Sequence, residues 1–166
     1  MSTNLISIIL LMFSFLFLGN YGIHIYYKNK RKLLFAEIGN QKFIEIKNVN
    51  AKIYTKSKVS VSWQFFMSDI ILIENTLLIL LRNYNLKGLI NQNQSIIQFT
   101  KTVNAKKMNG VGKVYIIEKK EFIENKIQIY SEQNLIVNAK FEILLDFKNR
   151  TKESNIVKEY INENLD

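Results

Sequence analysis

The feature that most constrains this fold is an uncharged, largely apolar stretch near the start of the sequence, Leu5–Tyr27. From Leu5 to Leu18 every residue is apolar except two serines. At about 1.5 Å of rise per residue, a helix over the whole stretch is long enough to cross the roughly 30 Å hydrocarbon core of a membrane. Such a helix also satisfies its own backbone hydrogen bonds in lipid. The stretch therefore predicts an N-terminal transmembrane helix.

A short basic run follows the apolar stretch and predicts its orientation. The chain has a net charge of +9, and four of its basic residues lie within 28–32. The positive-inside rule places such a run in the cytoplasm, and the tyrosines before it are typical of an aromatic belt at the membrane surface. Basic residues at this position also attract anionic lipid headgroups. The predicted membrane-border residues are Tyr26, Tyr27, Lys28, Lys30, Arg31 and Lys32.

A cleaved secretory signal and a buried helix of a soluble protein are the alternatives to a permanent anchor. Signals begin with a basic region and end at a small-residue cleavage site. The opening residues MSTN contain no base, and Gly19 and Gly22 make a poor cleavage site. Anchorage is therefore favoured, with residues 1–32 as anchor and border and 33–166 as the cytoplasmic domain. The resulting prediction is a single-pass protein of the cell membrane with its N-terminus outside.

The composition excludes several kinds of chemistry. The sequence contains no cysteine and one histidine, His24, which lies at the predicted membrane border. Thiolate sites and histidine-based catalysis in the domain are thereby excluded. Glu118, Glu121 and Glu124 recur every third residue, a spacing that splits them between the faces of a strand. We expect a non-catalytic protein that has no cofactor and no metal site.

After Phe35 the sequence changes to short alternating segments typical of half-buried strands. The alternation changes parity near Asn48, which predicts a bulge or turn. Acidic residues punctuate the lysines, and the aromatic residues fall on apolar faces, so we do not expect nucleic-acid binding. The aromatic residues predicted to face the core are Trp63, Phe65, Phe141 and Phe147.

Three turns are predicted between the strands. The apolar segment DIILIENTLLILLRN reads as two buried strands joined at Glu74–Asn75–Thr76. Asn109–Gly110 is a typical two-residue hairpin turn between strand-like runs, and Glu124–Asn125 predicts another turn.

The sequence ends on a predicted amphipathic helix, with Thr151 or Ser154 as its N-cap. Its apolar stripe consists of Ile156, Val157, Tyr160, Ile161 and Leu165. The order is thus one membrane helix, about seven or eight strands and a last helix, without βαβ alternation. The predicted fold is mainly β, a compact antiparallel barrel or sandwich of about seven strands with the C-terminal helix over one open end.

Strands that close with an amphipathic helix, together with the segment SDIILIENTLLILLRN, make residues 35–165 resemble the pleckstrin-homology-like family, including its GRAM-type and bacterial members. The resemblance implies a scaffold that binds lipid, peptide or protein. Inositide-binding members use basic residues near an early strand–strand loop, and the corresponding candidate ligand loop here carries Lys52, Lys56 and Lys58. No arginine completes that pattern, which argues against specific inositide binding.

The predicted function follows from the anchor and from the lack of catalytic groups. It is a membrane-anchored, non-catalytic binding or scaffold domain that engages a protein partner or lipid headgroups at the cytoplasmic membrane face. The first alternative is an exported structural or assembly protein whose N-terminal signal is cleaved or whose domain faces outward. The second is a membrane-bound hydrolase that uses carboxylates alone, such as those of Glu118, Glu121 and Glu124.

Overall fold

A computed structural model of the chain describes residues 3–39, 41–56, 61–85, 90–102, 105–133 and 139–165. The elements assigned there are α1 Thr3–Ile38, β1 Ile44–Lys56, β2 Val61–Ile73, β3 Thr76–Asn85, β4 Ile90–Thr100, β5 Lys113–Ile116, β6 Lys119–Ile123, β7 Lys126–Gln133, β8 Ala139–Asp146 and α2 Thr151–Asn164. Part of the last predicted alternating run, residues 134–138, lies outside the described residues.

The eight strands form one curled sheet with the order β5-β4-β3-β2-β1-β8-β7-β6. Strands β5 and β6 are its two edges, yet only Ile117 and Glu118 separate them in the sequence. A two-residue connection spans only about 10 Å, so the sheet has to curl until its edges meet at one corner. The result is a half-barrel with a C-terminal helix, which confirms the predicted mainly-β, barrel-like fold.

One strand pairing differs from the prediction. All neighbouring strands pair antiparallel except β4 and β5, which are parallel. Asn109–Gly110 does form a turn, but residues 105–108 before it are not a strand. The hairpin predicted at this turn is therefore wrong. The connection from β4 to β5, residues 101–112 in the sequence, has the dozen residues that a connection between parallel strands requires.

The other predicted turns are confirmed. The β2–β3 turn lies at Glu74–Asn75 and the β6–β7 turn at Glu124–Asn125. Asn75 and Glu124 adopt positive φ angles of 55° and 48°. The predicted parity change is a bulge, because the β1–β2 register shifts between Ile46 and Val49 and the intervening Asn48 has a φ of 60°.

The core fills the concave face of the half-barrel. Its centre is an aromatic cluster in which the Tyr115 and Phe141 rings stack 4.2 Å apart and Phe99 packs against both. Phe141 and Phe147 are buried as predicted. The prediction that Phe65 faces the core is wrong. The even-numbered Ile70 and Leu72 of β2 point into this core, so Phe65 points outward and is 71% exposed. The side chain of Trp63 lies outside the described part of the chain.

Helix α2 covers the concave face with the predicted apolar stripe. Val157, Ile161 and Leu165 are buried in the core cluster, and Ile156 and Tyr160 pack partly buried against it. Both predicted caps are wrong. The N-cap is Arg150, whose side chain pairs with Glu153 and makes no capping bond. Thr151 is the first helical residue, and Ser154 is buried inside the helix.

Tyr160 connects α2 to the β2–β3 turn by hydrogen bonds. Its hydroxyl donates to the Ile73 carbonyl and accepts from the Thr76 amide at 2.9 Å. Tyr160→Phe is expected to lower the free energy of unfolding by about 1–3 kcal/mol, because a half-buried amide and carbonyl lose their partner. Denaturant unfolding checks this value. The matched control is Tyr115→Phe, which removes a hydroxyl that has no hydrogen bond within the described residues and should change stability far less.

Tyr115 makes the stability of the domain sensitive to alkaline pH. Burial raises the pKa of Tyr115 to about 12, whereas an unfolded tyrosine ionises near pH 10. The stabilisation of the folded domain by the buried, neutral Tyr115 is therefore complete below pH 10. It declines as the pH rises from about 10 towards 12, since Tyr115 ionises only in the unfolded chain over this range. The free energy of unfolding, measured across this pH range, should fall less steeply for Tyr115→Phe than for the unsubstituted chain. If the free energy of unfolding falls equally steeply with pH in both proteins, Tyr115 is not the source of the alkaline sensitivity.

Helix α1 is a single element from Thr3 to Ile38. Large apolar side chains along its first half are exposed, among them Leu10 at 63% and Phe13 at 68%. Within the described residues, neither helix contains a segment that is both long and apolar enough to cross a membrane. The predicted helix is confirmed, whereas its predicted role as a transmembrane span is not.

Candidate functional site

The last turns of α1 pack on the convex face of the sheet. Residues Ile70–Ile73 of β2 and Leu77–Leu81 of β3 are apolar on both faces, which is typical of strands that are covered twice. Alternate residues of these strands line the concave core, and the residues between them meet Leu34 and Ile38 of α1, which are 0% and 1% exposed. The strand residues in this second cluster, together with one from the following loop, are Ile71, Ile73, Leu78, Leu80, Ile96 and Val111.

An ion cluster, formed by Arg31, Asp69 and Arg82, lies beside this apolar contact. Asp69 of β2 is 2.5 Å from Arg82 of β3 and 3.7 Å from Arg31 of α1. The three side chains are only 11–13% exposed. Arg31 also donates to the Leu81 carbonyl at 2.8 Å. The cluster thus joins α1 to β2 through the Arg31–Asp69 ion pair and to β3 through a charge-assisted hydrogen bond, which is stronger than a neutral one.

The bulge in β1 completes the ion cluster. The Asn48 amide donates to Asp69 at 3.1 Å, and Arg82 donates to the Asn48 side-chain oxygen at 2.7 Å. Arg150, just before α2, donates to the Lys47 carbonyl at 2.6 Å. All three arginines of the sequence therefore converge on this bulge and its neighbours. Their planar guanidinium groups provide several fixed donors at once, which lysine cannot.

The electrostatics of the cluster depend on one carboxylate. Burial lowers the pKa of Arg31 to about 10, while the Asp69 charge opposes that change. The guanidinium is therefore still charged at neutral pH. Two buried cations on one anion leave a net positive charge, so removal of Asp69 would leave both guanidiniums uncompensated in a poorly solvated place.

A second segment, residues 105–112, here called the strap, also holds α1. Gln98 of β4 positions it by donating to the Lys106 carbonyl and accepting from the Met108 amide, both at 3.0 Å. Glu37 of α1 pairs with Lys106 at 3.2 Å and accepts from the Asn109 amide. The hydrogen bond from the Asn109 amide is the largest cause of the lowered pKa of Glu37. The end of α1 thus contacts both the sheet and the strap.

Gly110 brings the strap against the backbone of α1. It has a φ of 80°, in the left-handed region that favours glycine. A Cβ placed on it would lie 2.2 Å from the Lys30 carbonyl oxygen. Only glycine fits between the helix and the strap at this point.

The predicted membrane-border residues occupy different environments. Lys28 and Lys32 are exposed. The Lys30 ammonium lies 4.7 Å from the centre of the Tyr26 ring, and the Tyr26 and Tyr27 rings meet edge to face at 5.1 Å. Arg31 differs from the rest, because its side chain turns away from this group and enters the ion cluster.

The predicted ligand-loop residues are not brought together on one described loop. Lys58 lies outside the described residues. Lys52 lies within β1 opposite Phe65, with its ammonium 5.3 Å from the ring centre. Lys56 is exposed at the end of β1.

The predicted site residues did not include Asp69, Arg82 or Asn48. A usable signal was present, since Asp69 opens an otherwise apolar run and Arg82 closes another. The scarcity of arginine was a second signal: the chain uses lysine for ordinary surface charge, so each of its three arginines marks a position that needs a guanidinium.

The described residues offer structural rather than reactive chemistry at this junction. Within the ranges given above, no group of three or more histidine, aspartate or glutamate side chains could hold a metal ion. No protein-family model, curated protein or solved structure matches the chain.

Proposed function

We propose that this chain is a single-pass membrane-anchored, non-catalytic binding domain, held against the cytoplasmic face of the membrane by α1. The observation that carries the proposal is the division of α1 into two parts. The first half of the helix exposes large apolar side chains, and its last turns are fixed to the β sheet.

The exposed apolar part of α1 requires a contact that buries it. Ile6, Leu10, Leu11, Phe13 and Phe15 are each 48–73% exposed. Contiguous apolar surface of this kind marks a membrane or protein contact. The basic residues and tyrosines that follow suit the membrane, because they match the headgroup level of a lipid bilayer.

The fixed part of α1 gives the anchor a mechanical role. Only three residues separate Tyr27, the last residue of the apolar stretch, from Arg31 in the ion cluster. A domain attached this closely has little freedom to swing, so the anchor sets its orientation as well as its location. The resemblance to pleckstrin-homology-like domains supports a binding role for the domain, and β1, β8 and β7 carry the convex surface available for a partner beyond α1.

Alkaline carbonate extraction of membranes tests the anchor. We expect the full chain to stay in the membrane pellet, and Leu10→Asp with Phe13→Asp to release it, because each aspartate at the centre of a span costs about 2.5–3.5 kcal/mol. The control is Phe43→Asp with Ile44→Asp, which places the same charges on exposed apolar residues outside α1. Full release of the unsubstituted chain would contradict the proposal.

A further inference from the structure

We propose that the start of α2 is coupled to the last turns of α1 through the bulge in β1, so that loosening of either helix end loosens the other. The bulge is then a conformational device rather than an irregularity of one strand. The inference goes beyond the proposed function and does not depend on it, because it concerns only the fixed part of α1, the sheet and α2.

The first step is the connection from α1 to the bulge. Arg31 pairs with one carboxylate oxygen of Asp69 at 3.7 Å. The other oxygen of Asp69 accepts a hydrogen bond from the Asn48 amide at 3.1 Å. Arg82 donates to both Asn48 and Asp69, and so fixes the two residues relative to each other. A shift of Arg31 therefore acts on the backbone of the bulge through a single carboxylate.

The second step is the connection from the bulge to α2. Arg150, the N-cap residue of α2, donates to the Lys47 carbonyl at 2.6 Å and to the Asn48 carbonyl at 3.2 Å. Its guanidinium also pairs with Glu153 in the first turn of the helix. The Arg150 carbonyl accepts from the Ser154 amide at 3.0 Å, the bond that begins the helix. The bulge thus holds the residue at which α2 starts.

The third step is the backbone conformation at both ends of the Arg150 contact. Asn48 has a φ of 60°, and Lys148, two residues before Arg150, has a φ of 53°. A residue other than glycine stays in this left-handed region only where surrounding contacts fix it. At Asn48 those contacts come from Asp69, Arg82 and Arg150. Loss of any of them makes the bulge conformation less favourable, so the effect reaches the remaining contacts as well.

The proposed coupling is reciprocal. Substitutions within one hydrogen-bonded network are commonly non-additive, because the side chains share partners. If Arg31 stabilises the start of α2 through the bulge, Arg150 stabilises the end of α1 by the same free energy. A purely local role would instead confine the effect of Arg31 to α1 and to the strands that it touches. The two helix ends therefore provide two independent readings of one quantity.

Hydrogen exchange of the full chain in detergent, resolved by residue, tests the coupling. Exchange is compared with that of the β7 amides, which report global unfolding. Arg31→Met should speed exchange of residues 154–157 by about tenfold relative to β7, a factor within the usual range for residues of one network. Arg150→Met should speed exchange of residues 34–38 by a similar factor. Arg150 is the more exposed arginine, at 34% against 13%, so this variant decides the test if Arg31→Met does not fold.

Glu37→Ala is the matched control, because it releases α1 from the strap and leaves the contacts of the bulge in place. We expect faster exchange of residues 34–38 and no change in residues 154–157. If Glu37→Ala and Arg31→Met speed exchange of residues 154–157 equally, the route through the bulge is wrong. Unchanged relative exchange of residues 154–157 in Arg31→Met, or of residues 34–38 in Arg150→Met, would overturn the coupling itself.

Discussion

Asp69→Ala is expected to lower the free energy of unfolding of the domain by about 3–5 kcal/mol. The substitution leaves Arg31 and Arg82 buried without their counter-charge, and an unpaired buried charge is among the most destabilising changes in proteins. The Asn48 amide loses its acceptor as well. Denaturant unfolding of the full chain in detergent measures the effect. Hydrogen exchange should show reduced protection in residues 31–38 of α1.

The control for Asp69 is Glu121, a carboxylate that pairs with Lys119 at 2.6 Å on the surface. Glu121→Ala should change stability by less than about 1 kcal/mol, the usual range for exposed pairs. The double variant Asp69→Ala with Arg31→Met should be more stable than the sum of the single effects predicts, because one uncompensated charge is gone. Equal small losses for Asp69→Ala and Glu121→Ala would contradict a structural role for the ion cluster.

Gly110→Ala is expected to cost more than about 2 kcal/mol and to separate the strap from α1. A left-handed conformation costs a residue with a Cβ about 1–2 kcal/mol. The new Cβ would also collide with the Lys30 carbonyl, which is backbone and cannot rotate away. The strap or the helix has to move, and the Glu37–Asn109 bond is lost with that movement. Unfolding and limited proteolysis within residues 105–112 measure the two effects.

Gly112→Ala provides the comparison within the same loop. A Cβ there would lie 3.3 Å from the Ile96 carbonyl oxygen, and Gly112 does not have a positive φ. We expect a clearly smaller loss of stability and an intact strap. A loss equal to that of Gly110→Ala would mean that the loop tolerates no side chain at all, rather than that the helix contact requires glycine.

The sequence was sufficient to predict the local parts of the fold. Alternation predicted most strands, turn chemistry predicted Glu74–Asn75 and Glu124–Asn125, and the 3.6-residue stripe predicted α2. Each of these signals lies within about ten residues of the element it describes. They suffice for a mainly-β chain closed by a helix, because burial periodicity is a local property.

The predictions that were wrong concern contacts between residues that are distant in the sequence. Asn109–Gly110 has hairpin chemistry, but the partner of β5 is β4 across a crossover, and no local pattern reports that pairing. Phe65 seemed to face the core because its polar neighbours alternate with it. Only the Ile70–Ile73 end of β2 is apolar on both faces, and the burial of Ile70 and Leu72 in the core decides which face of the strand is concave.

The junction of α1 and the sheet also escaped prediction for a physical reason. Arg31 looked like one more residue of the basic border, because its neighbours in sequence are lysines. Its partner Asp69 lies 38 residues away, and only the folded sheet brings the two together. Once the scarcity of arginine is noticed, the position can be singled out, but the partner still requires the fold.

We propose that α1 holds the β domain on the cytoplasmic side of the membrane, and labelling of a single cysteine tests this proposal. The sequence has no cysteine, so a single Ile123→Cys substitution at a 53% exposed position of β6 gives one reactive thiol on the domain. A membrane-impermeant maleimide should label this thiol only after the cells that produce the chain are permeabilised. Equal labelling in intact cells would contradict the claim and place the domain outside.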